Sequence, residues 1–204
     1  MATTTPNYGW PVPTSADYVA QGAVAIEALG DAIDATVFGL PSGALALISS
    51  QTLTTSASFT FQNVFSATYD NYFVTWQGVS SPTSITNLNF DVANGGTRAN
   101  TSQWARIQVT MDPNIVTNAA ENQTSIPTAA LGNQSTSATF QIFKPFLAKT
   151  TDLLVNSYEK SNGEFVLRMS NGNHAAATSY DGFYVAPASG TITGTFRIYG
   201  YQNS

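Results

Sequence analysis

The chain has 204 residues, of which 43% are hydrophobic and only 9% are charged. Soluble domains are typically about 25% charged, so Thr, Ser, Asn and Gln must form much of the surface of this protein. The formal net charge is −5 and the Lys and Arg residues are not clustered, so we expect neither nucleic acid nor a membrane surface as a partner.

The N-terminus predicts a protein that is made in a cytoplasm without a signal peptide. Residues 1–6 read MATTTP and lack the basic start and apolar run of a secretory signal. No stretch approaches the roughly 18 consecutive apolar residues of a membrane helix. We therefore expect no insertion into a membrane.

The first thirteen residues predict an extended arm. Pro11 and Pro13 fix their own φ angles and keep the residues before them extended. Tyr8 and Trp10 are too few to form a core of their own. We expect these two aromatic side chains to be buried against the rest of the chain or against another protein.

Residues 15–37 predict the one long helix of the chain. Thr14 or Ser15 can cap its N-terminus, and Gly39 and Pro41 end it.

The predicted helix carries an apolar stripe that favours self-association. Val19, Ile26 and Ile33 are spaced seven residues apart, and Leu29 follows Ile26 by three. A single short, acidic helix is marginal in water and needs a packing partner. Either the helix lies on the rest of the chain, or three copies form a bundle through these four residues.

From residue 44 onward the hydrophobic pattern changes to a period of two, which is typical of strands. Turn signals such as Asn94-Gly95-Gly96 and Asn171-Gly172 separate the alternating runs. We predict a mainly β protein whose fold is a jelly-roll-like antiparallel β-sandwich, preceded by the arm and the helix. The predicted strands are 44–48, 56–65, 70–79, 85–93, 104–111, 137–143, 152–158, 164–169, 179–186 and 191–201.

The same pattern predicts the organisation of the chain. Residues 1–40 form an arm and a helix, and residues 41–204 form the sandwich, which we call the head. The segment 114–136 is rich in Asn, Thr, Ser and Ala, and we predict a long surface loop there.

No arrangement of residues predicts catalysis, a metal site or a cofactor. His174 is the only histidine, cysteine is absent, and a turn-like context predicts that the His174 side chain is solvated. Several acids adjoin turn residues, where Asp serves the backbone. We therefore predict no catalytic residues, no metal ligands and no cofactor.

A softer pattern favours sugar binding. Tyr69, Tyr72, Trp76 and Trp104, with Asn and Gln nearby, could stack on a pyranose ring and bind its hydroxyl groups. The competing interpretation is that Tyr72 and Trp76 are core residues at alternate positions of one strand.

The N-terminal sequence resembles a known family. The run NYGWPVPTSADYV from Asn7 to Val19, followed by AVAIEALGDAIDATV from Ala23 to Val37, is similar to the N-terminal module of many tailed-bacteriophage virion proteins. In that family the module precedes long fibre or minor tail proteins. The resemblance covers about the first 40 residues and implies that Tyr8, Trp10, Pro11 and Pro13 anchor the chain to the phage particle.

A second, looser resemblance lies in the head. NVFSATYDNY from Asn63, TSYDGF from Thr178 and GTITGTFRIYGY from Gly190 look like a small β domain of phage structural proteins. The two resemblances imply a non-enzymatic virion protein. Its N-terminus would attach to capsid or tail proteins as a homotrimer, and its β head would face outward.

Two other functions stay open at this point. One is a carbohydrate-binding receptor protein at the tail tip, with a host surface glycan as its ligand. The other is a polysaccharide depolymerase, which would need two carboxylates facing each other across a cleft.

Overall fold

The computed structural model describes residues 3–14, 18–39, 44–81, 85–100, 102–110, 115–161 and 164–203. The chain divides into two compact units, Met1–Ser42 and Gly43–Ser204. The division falls two residues beyond the boundary that the sequence predicts at residue 40. The predicted fold class, a mainly β antiparallel sandwich with one helix, is confirmed.

The N-terminal unit contains a small hairpin and the helix. Strand β1 (Thr3–Thr4) pairs antiparallel with β2 (Pro11–Val12), so the predicted extended arm turns back on itself. Helix α1 (Val19–Gly39) begins four residues after the predicted start and ends at Gly39. The predicted cap Ser15 lies outside the described residues.

The head consists of two antiparallel sheets. The larger one has eight strands in the order β3-β15-β5-β11-β12-β13-β8-β9. Its strands are β3 (Leu45–Ser56), β5 (Asn71–Ser81), β8 (Ser102–Thr110), β9 (Ile115–Gln123), β11 (Ser135–Phe143), β12 (Thr151–Ser161), β13 (Glu164–His174) and β15 (Thr191–Tyr201).

The smaller sheet has five strands and covers one face of the larger one. Its order is β10-β6-β14-β4, with β7 paired to β6. Its strands are β4 (Phe59–Phe61), β6 (Thr86–Asn94), β7 (Thr97–Arg98), β10 (Ile126–Leu131) and β14 (Gly182–Pro187).

The core lies between the two sheets because inward residues alternate with outward ones along each strand. On β5, Tyr72, Val74 and Trp76 are buried while Phe73 and Thr75 are half-buried on the other face. Phe61 and Phe90 of the smaller sheet stack on Phe183, at centroid distances of 4.5 and 5.3 Å. Burying each such side chain stabilises the head by roughly 1.5–3 kcal/mol.

The predicted loop at 114–136 is wrong. Most of that segment forms β9 and β10, and every residue of β10 is buried. β10 contains Pro127 and two alanines, Ala129 and Ala130, which have weak strand propensity on their own. Its strand conformation comes from pairing with β6 and from packing against β12 and β13.

The predicted turn at Asn171-Gly172 is also wrong, because both residues lie inside β13. A Cβ atom at residue 172 would lie 2.6 Å from the carbonyl oxygen of Gln103 and 2.7 Å from Ile126. Gly172 is therefore needed for the close approach of neighbouring strands, not for a turn.

Candidate functional site

The arm is held in its hairpin by contacts between Thr5 and Trp10. The Thr5 amide donates to the Trp10 carbonyl at 2.9 Å, and the Trp10 amide donates to the Thr5 hydroxyl at 3.0 Å. Gly9 has a φ of +67°, a conformation that glycine adopts without strain. The Tyr8 ring stacks on the Trp10 ring at 5.1 Å, so the turn presents two aromatic side chains together.

The Trp10 side chain also contacts the helix. Its indole nitrogen donates to the Thr36 hydroxyl at 2.9 Å, and that hydroxyl donates to the Ala32 carbonyl at 2.8 Å. Trp10 is half-buried, whereas Tyr8 is 62% exposed. Of the two predicted anchoring aromatics, Tyr8 is the more accessible, and Trp10 positions the hairpin on α1. Pro11 and Pro13 are half-buried beside it.

The predicted apolar stripe of α1 is divided between two faces. Leu29 is half-buried, as are the small residues Gly22, Ala25, Ala32 and Thr36 on the same side. Ile26 and Ile33 lie further round the helix and are 64% and 37% exposed. Val37 is exposed on their face as well, and the side chain of Val19 lies outside the described part of the structure. We call Ile26, Ile33 and Val37 the exposed helix face.

Two of the four aromatics predicted to bind sugar belong to the core. Tyr72 and Trp76 are both 0% exposed, and the Tyr72 hydroxyl donates to the Ser66 carbonyl at 3.0 Å. The interpretation that they stack on a glycan is therefore wrong. The inward positions of β5 place both rings between the sheets.

The other two aromatics do not form a common surface with them. Tyr69 is half-buried and packs edge-on against Tyr72 at 6.1 Å. Trp104 is half-buried, and the Arg106 guanidinium lies 5.5 Å from its ring centroid. The structure places Tyr69 beside β5 and Trp104 on β8, so the four residues share no exposed shelf.

His174 is not solvated as the sequence predicts. It is the last residue of β13, it is buried, and its Nδ1 lies 2.8 Å from the Tyr180 hydroxyl. Burial lowers the pKa of the imidazole. The run Asn171-Gly172-Asn173 is typical of a turn, so the sequence did not predict that β13 continues to His174.

A buried carboxyl group lies on β6 of the smaller sheet, at a position that alternates with the core residues Phe90 and Val92. Asp91 of β6 is 1% exposed, and its Oδ2 accepts a hydrogen bond from the Asn100 amide at 2.8 Å. The Arg98 Nε lies 3.7 Å from that oxygen. Burial outweighs both contacts and raises the pKa of Asp91 from 3.8 to about 6.

The side of the larger sheet that faces away from the smaller sheet carries an exposed apolar cluster. Register pairs Leu167 with Val109 and Tyr158, and pairs Met169 with Ile107. All five side chains are substantially exposed, as illustrated by Met169 at 52%. We call Ile107, Val109, Tyr158, Leu167 and Met169 the outer apolar patch. No sequence argument singled it out.

Shallow depressions flank this patch. One, of about 440 Å³, is lined by Tyr158, Leu167, Met169 and polar residues that include Gln77 and Asn156. A second, of about 430 Å³, shares Met169 and continues towards β9 past Ile107. The outward surface of the larger sheet therefore forms a shallow trough with an aliphatic middle.

The described residues contain neither a group of metal ligands nor a membrane-spanning helix. Within those ranges, no three His, Cys, Asp or Glu side chains are grouped so that they could hold a metal ion. No helix in the described part of the chain is long and apolar enough to cross a membrane.

Comparison with known proteins gives no family for this chain. No protein-family model and no curated protein matches it. A solved structure of a leech intramolecular trans-sialidase, complexed with 2,7-anhydro-Neu5Ac, is similar at 14% identity and a TM-score of 0.28. The match covers 81% of this chain and 27% of the length of the leech chain. A TM-score this low carries no argument about fold or activity.

Proposed function

We propose that this chain is a non-enzymatic structural protein of a bacteriophage virion. It is a short trimeric surface fibre or decoration protein that is attached to the capsid or tail by its N-terminal unit. Its β head faces outward and can contact the host. The observation that carries the proposal is the exposed helix face beside an exposed aromatic hairpin, in the segment that resembles phage attachment modules.

The hairpin supports the attachment role. The Tyr8 ring lies flat on Trp10 and is largely exposed, which is typical of an aromatic anchor that is buried on binding. Pro11 and the hydrogen bond from Trp10 to Thr36 already hold the segment in one conformation. Little conformational entropy is then lost on binding, which raises affinity.

The helix supports the trimeric state. Ile26 and Ile33 are spaced by one heptad, and their side chains are 64% and 37% exposed in the single chain. Heptad spacing of isoleucine without a buried Asn is compatible with three helices around one axis. Three linked attachment points also strengthen binding to a particle through effective concentration.

The head supports a role in covering a surface. It carries eight acids and seven bases, so its net charge is close to zero, and many of its aromatic side chains, such as Phe183 and Phe196, are buried in the core. The carbohydrate-binding alternative loses Tyr72 and Trp76 to that core. The decoration role therefore stands ahead of receptor binding.

The attachment role is tested by incorporation into particles. A phage that lacks the gene is complemented with the full chain carrying Tyr8→Ala, and purified particles are assayed by immunoblot for the protein. Tyr18→Ala is the matched control, because Tyr18 is 79% exposed and lies outside the predicted anchor. We expect Tyr8→Ala to reduce incorporation strongly and Tyr18→Ala to leave it unchanged. Equal incorporation of both variants would refute the anchor.

A further inference from the structure

The chemistry of the outer apolar patch favours a protein surface as its partner. Four of its five side chains are aliphatic or thioether groups, and none is charged. Aliphatic groups gain free energy by leaving water for another apolar surface, and they offer a sugar neither a stacking face nor a hydrogen bond. Contiguous exposed patches of this kind mark interaction sites.

The size of the patch indicates a contact that needs help from a second interface. Five side chains exposed by 39–56% present an apolar area on the order of 300–500 Å², whereas stable complexes bury about 800 Å² per partner. The patch alone is thus too small to hold two free proteins together. It is large enough for proteins that are already tethered, since tethering raises the effective concentration to roughly millimolar.

The charges around the patch are compatible with a second copy of the same surface. Lys160 lies beyond Tyr158 on β12, with its amino group 5.3 Å from the Phe165 ring. At the other end, Asp152 pairs with Lys144 at 3.3 Å, and Glu121 is exposed on β9. Because both signs are present and the head is nearly neutral, two such surfaces meet without net repulsion.

We propose that the outer apolar patch is a contact between the heads of copies of this chain, formed when the helices hold those copies together. This inference rests on the proposed trimer and adds a second interface, which would fix the heads relative to one another. The chain then has one contact that sets the number of copies, along α1, and one that orders the heads, along β8, β12 and β13.

Oxidation of Met169 by hydrogen peroxide reports directly on whether the patch is covered. A thioether in contact with another protein oxidises more slowly than one in water. Hydrogen peroxide is added to two full-length proteins. One is the wild-type oligomer, and the other is the double variant Ile26→Asp, Ile33→Asp, which should be monomeric. Sulfoxide at Met169 is followed by peptide mass spectrometry, with added free methionine as an internal standard for oxidant strength.

We expect Met169 to oxidise several-fold more slowly in the oligomer than in the variant. Equal rates in an oligomer and in a monomer would overturn the head contact while leaving the helix bundle intact.

If the wild-type chain is itself a monomer, the proposed trimer fails. The rate is then measured at increasing protein concentration, where slowing keeps the contact between copies and a constant rate rejects it. Protection seen only in intact particles would assign the patch to another virion protein and overturn this inference.

Crosslinking gives a second readout, which is clean because the chain has no cysteine. Met169→Cys places a thiol in the patch, and Ser189→Cys places one at an exposed site between β14 and β15. With a short bismaleimide, Met169→Cys should yield covalent dimers from the oligomer and Ser189→Cys should not. Similar yields from the two variants would contradict a specific contact through the patch.

Discussion

The N-terminal unit and the head place their apolar side chains in opposite ways. In the head, residues such as Trp76, Phe183 and Phe196 lie between two sheets and are almost inaccessible. In the N-terminal unit, Tyr8 and Ile26 remain more than 60% exposed. The head therefore contains a core of its own, whereas the N-terminal unit keeps large apolar side chains exposed. Stability of the head therefore comes from its own core, whereas the apolar side chains of the N-terminal unit are available for contacts.

Equivalent substitutions of tryptophan in the two units should give the largest contrast. Trp76→Ala removes a fully buried ring from the core and is expected to lower the free energy of unfolding of the head by about 3–5 kcal/mol. Trp10→Ala removes a half-buried ring from the hairpin and should leave unfolding of the head nearly unchanged. Urea unfolding followed by the circular dichroism of the strands checks both. Comparable losses would mean that the two units are not energetically distinct.

Substitution of Asp91 should reveal a pH dependence that belongs to the head. The pKa of Asp91 is raised to about 6, so its protonation stabilises the fold fully below its ordinary pKa of 3.8. That contribution is lost as pH rises through 6. It amounts to about 2 kcal/mol between pH 4 and pH 8. Asp91→Asn should remove this pH-dependent contribution to the free energy of unfolding.

The measurement for Asp91 is a difference between two proteins. The buried His174 has a lowered pKa, which acts in the opposite direction, because its contribution to stability is lost as pH falls below its ordinary value of 6.5. His174 is present in both proteins, so subtracting the wild-type unfolding curve from that of Asp91→Asn isolates the carboxyl group. Identical pH profiles would show that Asp91 is not protonated in the fold near pH 5.

Charges introduced on the exposed helix face should change association but not the head. Ile26→Asp places a carboxylate where three helices are proposed to meet, and we expect at least about tenfold weaker association, or roughly 1.4 kcal/mol. Ala28→Asp is the control, since two residues correspond to about 200° around a helix. Sedimentation equilibrium of the full chains measures the effect. If both variants associate like the wild type, the bundle does not form through this face.

The smallest expected effect concerns the link between the hairpin and the helix. Thr36→Val keeps the shape of the side chain and removes the hydroxyl that accepts from Trp10. Losing this hydrogen bond should destabilise the contact between the hairpin and the helix by about 1 kcal/mol, without affecting the head. Faster hydrogen exchange of the Trp10 indole N–H, followed by NMR, would report it. Thr36→Ser, which keeps the hydroxyl, should exchange like the wild type.

The sequence predicts well those elements whose pattern is strong over their whole length. β5 and β15 alternate clearly, and the predicted bounds of both strands lie within two residues of the observed ones. Helix α1 was predicted because a continuous apolar and alanine-rich stretch ends at Gly39. In these segments local propensity and burial agree, so the single sequence was enough.

The sequence fails where tertiary packing decides. β10 is a strand only because β6 pairs with it and β12 and β13 cover it. His174 is buried because β13 continues through Gly172, which resembles a turn residue in isolation. The outer apolar patch combines residues of β8, β12 and β13 that are far apart in the sequence, from Ile107 to Met169, and that only the pairing of these strands brings together. No local pattern can reveal such a surface.

The central claim, that this protein is part of a phage particle with its head outward, is tested most directly by immunogold labelling. Intact particles of the phage that encodes the chain are labelled with an antibody raised against residues 41–204, with particles lacking the gene as the control. The account predicts gold on the particle surface. Labelling over the capsid would favour decoration, and labelling at the tail tip would favour receptor binding. Particles that carry no gold, in a preparation where the antibody recognises the purified chain, would contradict the account.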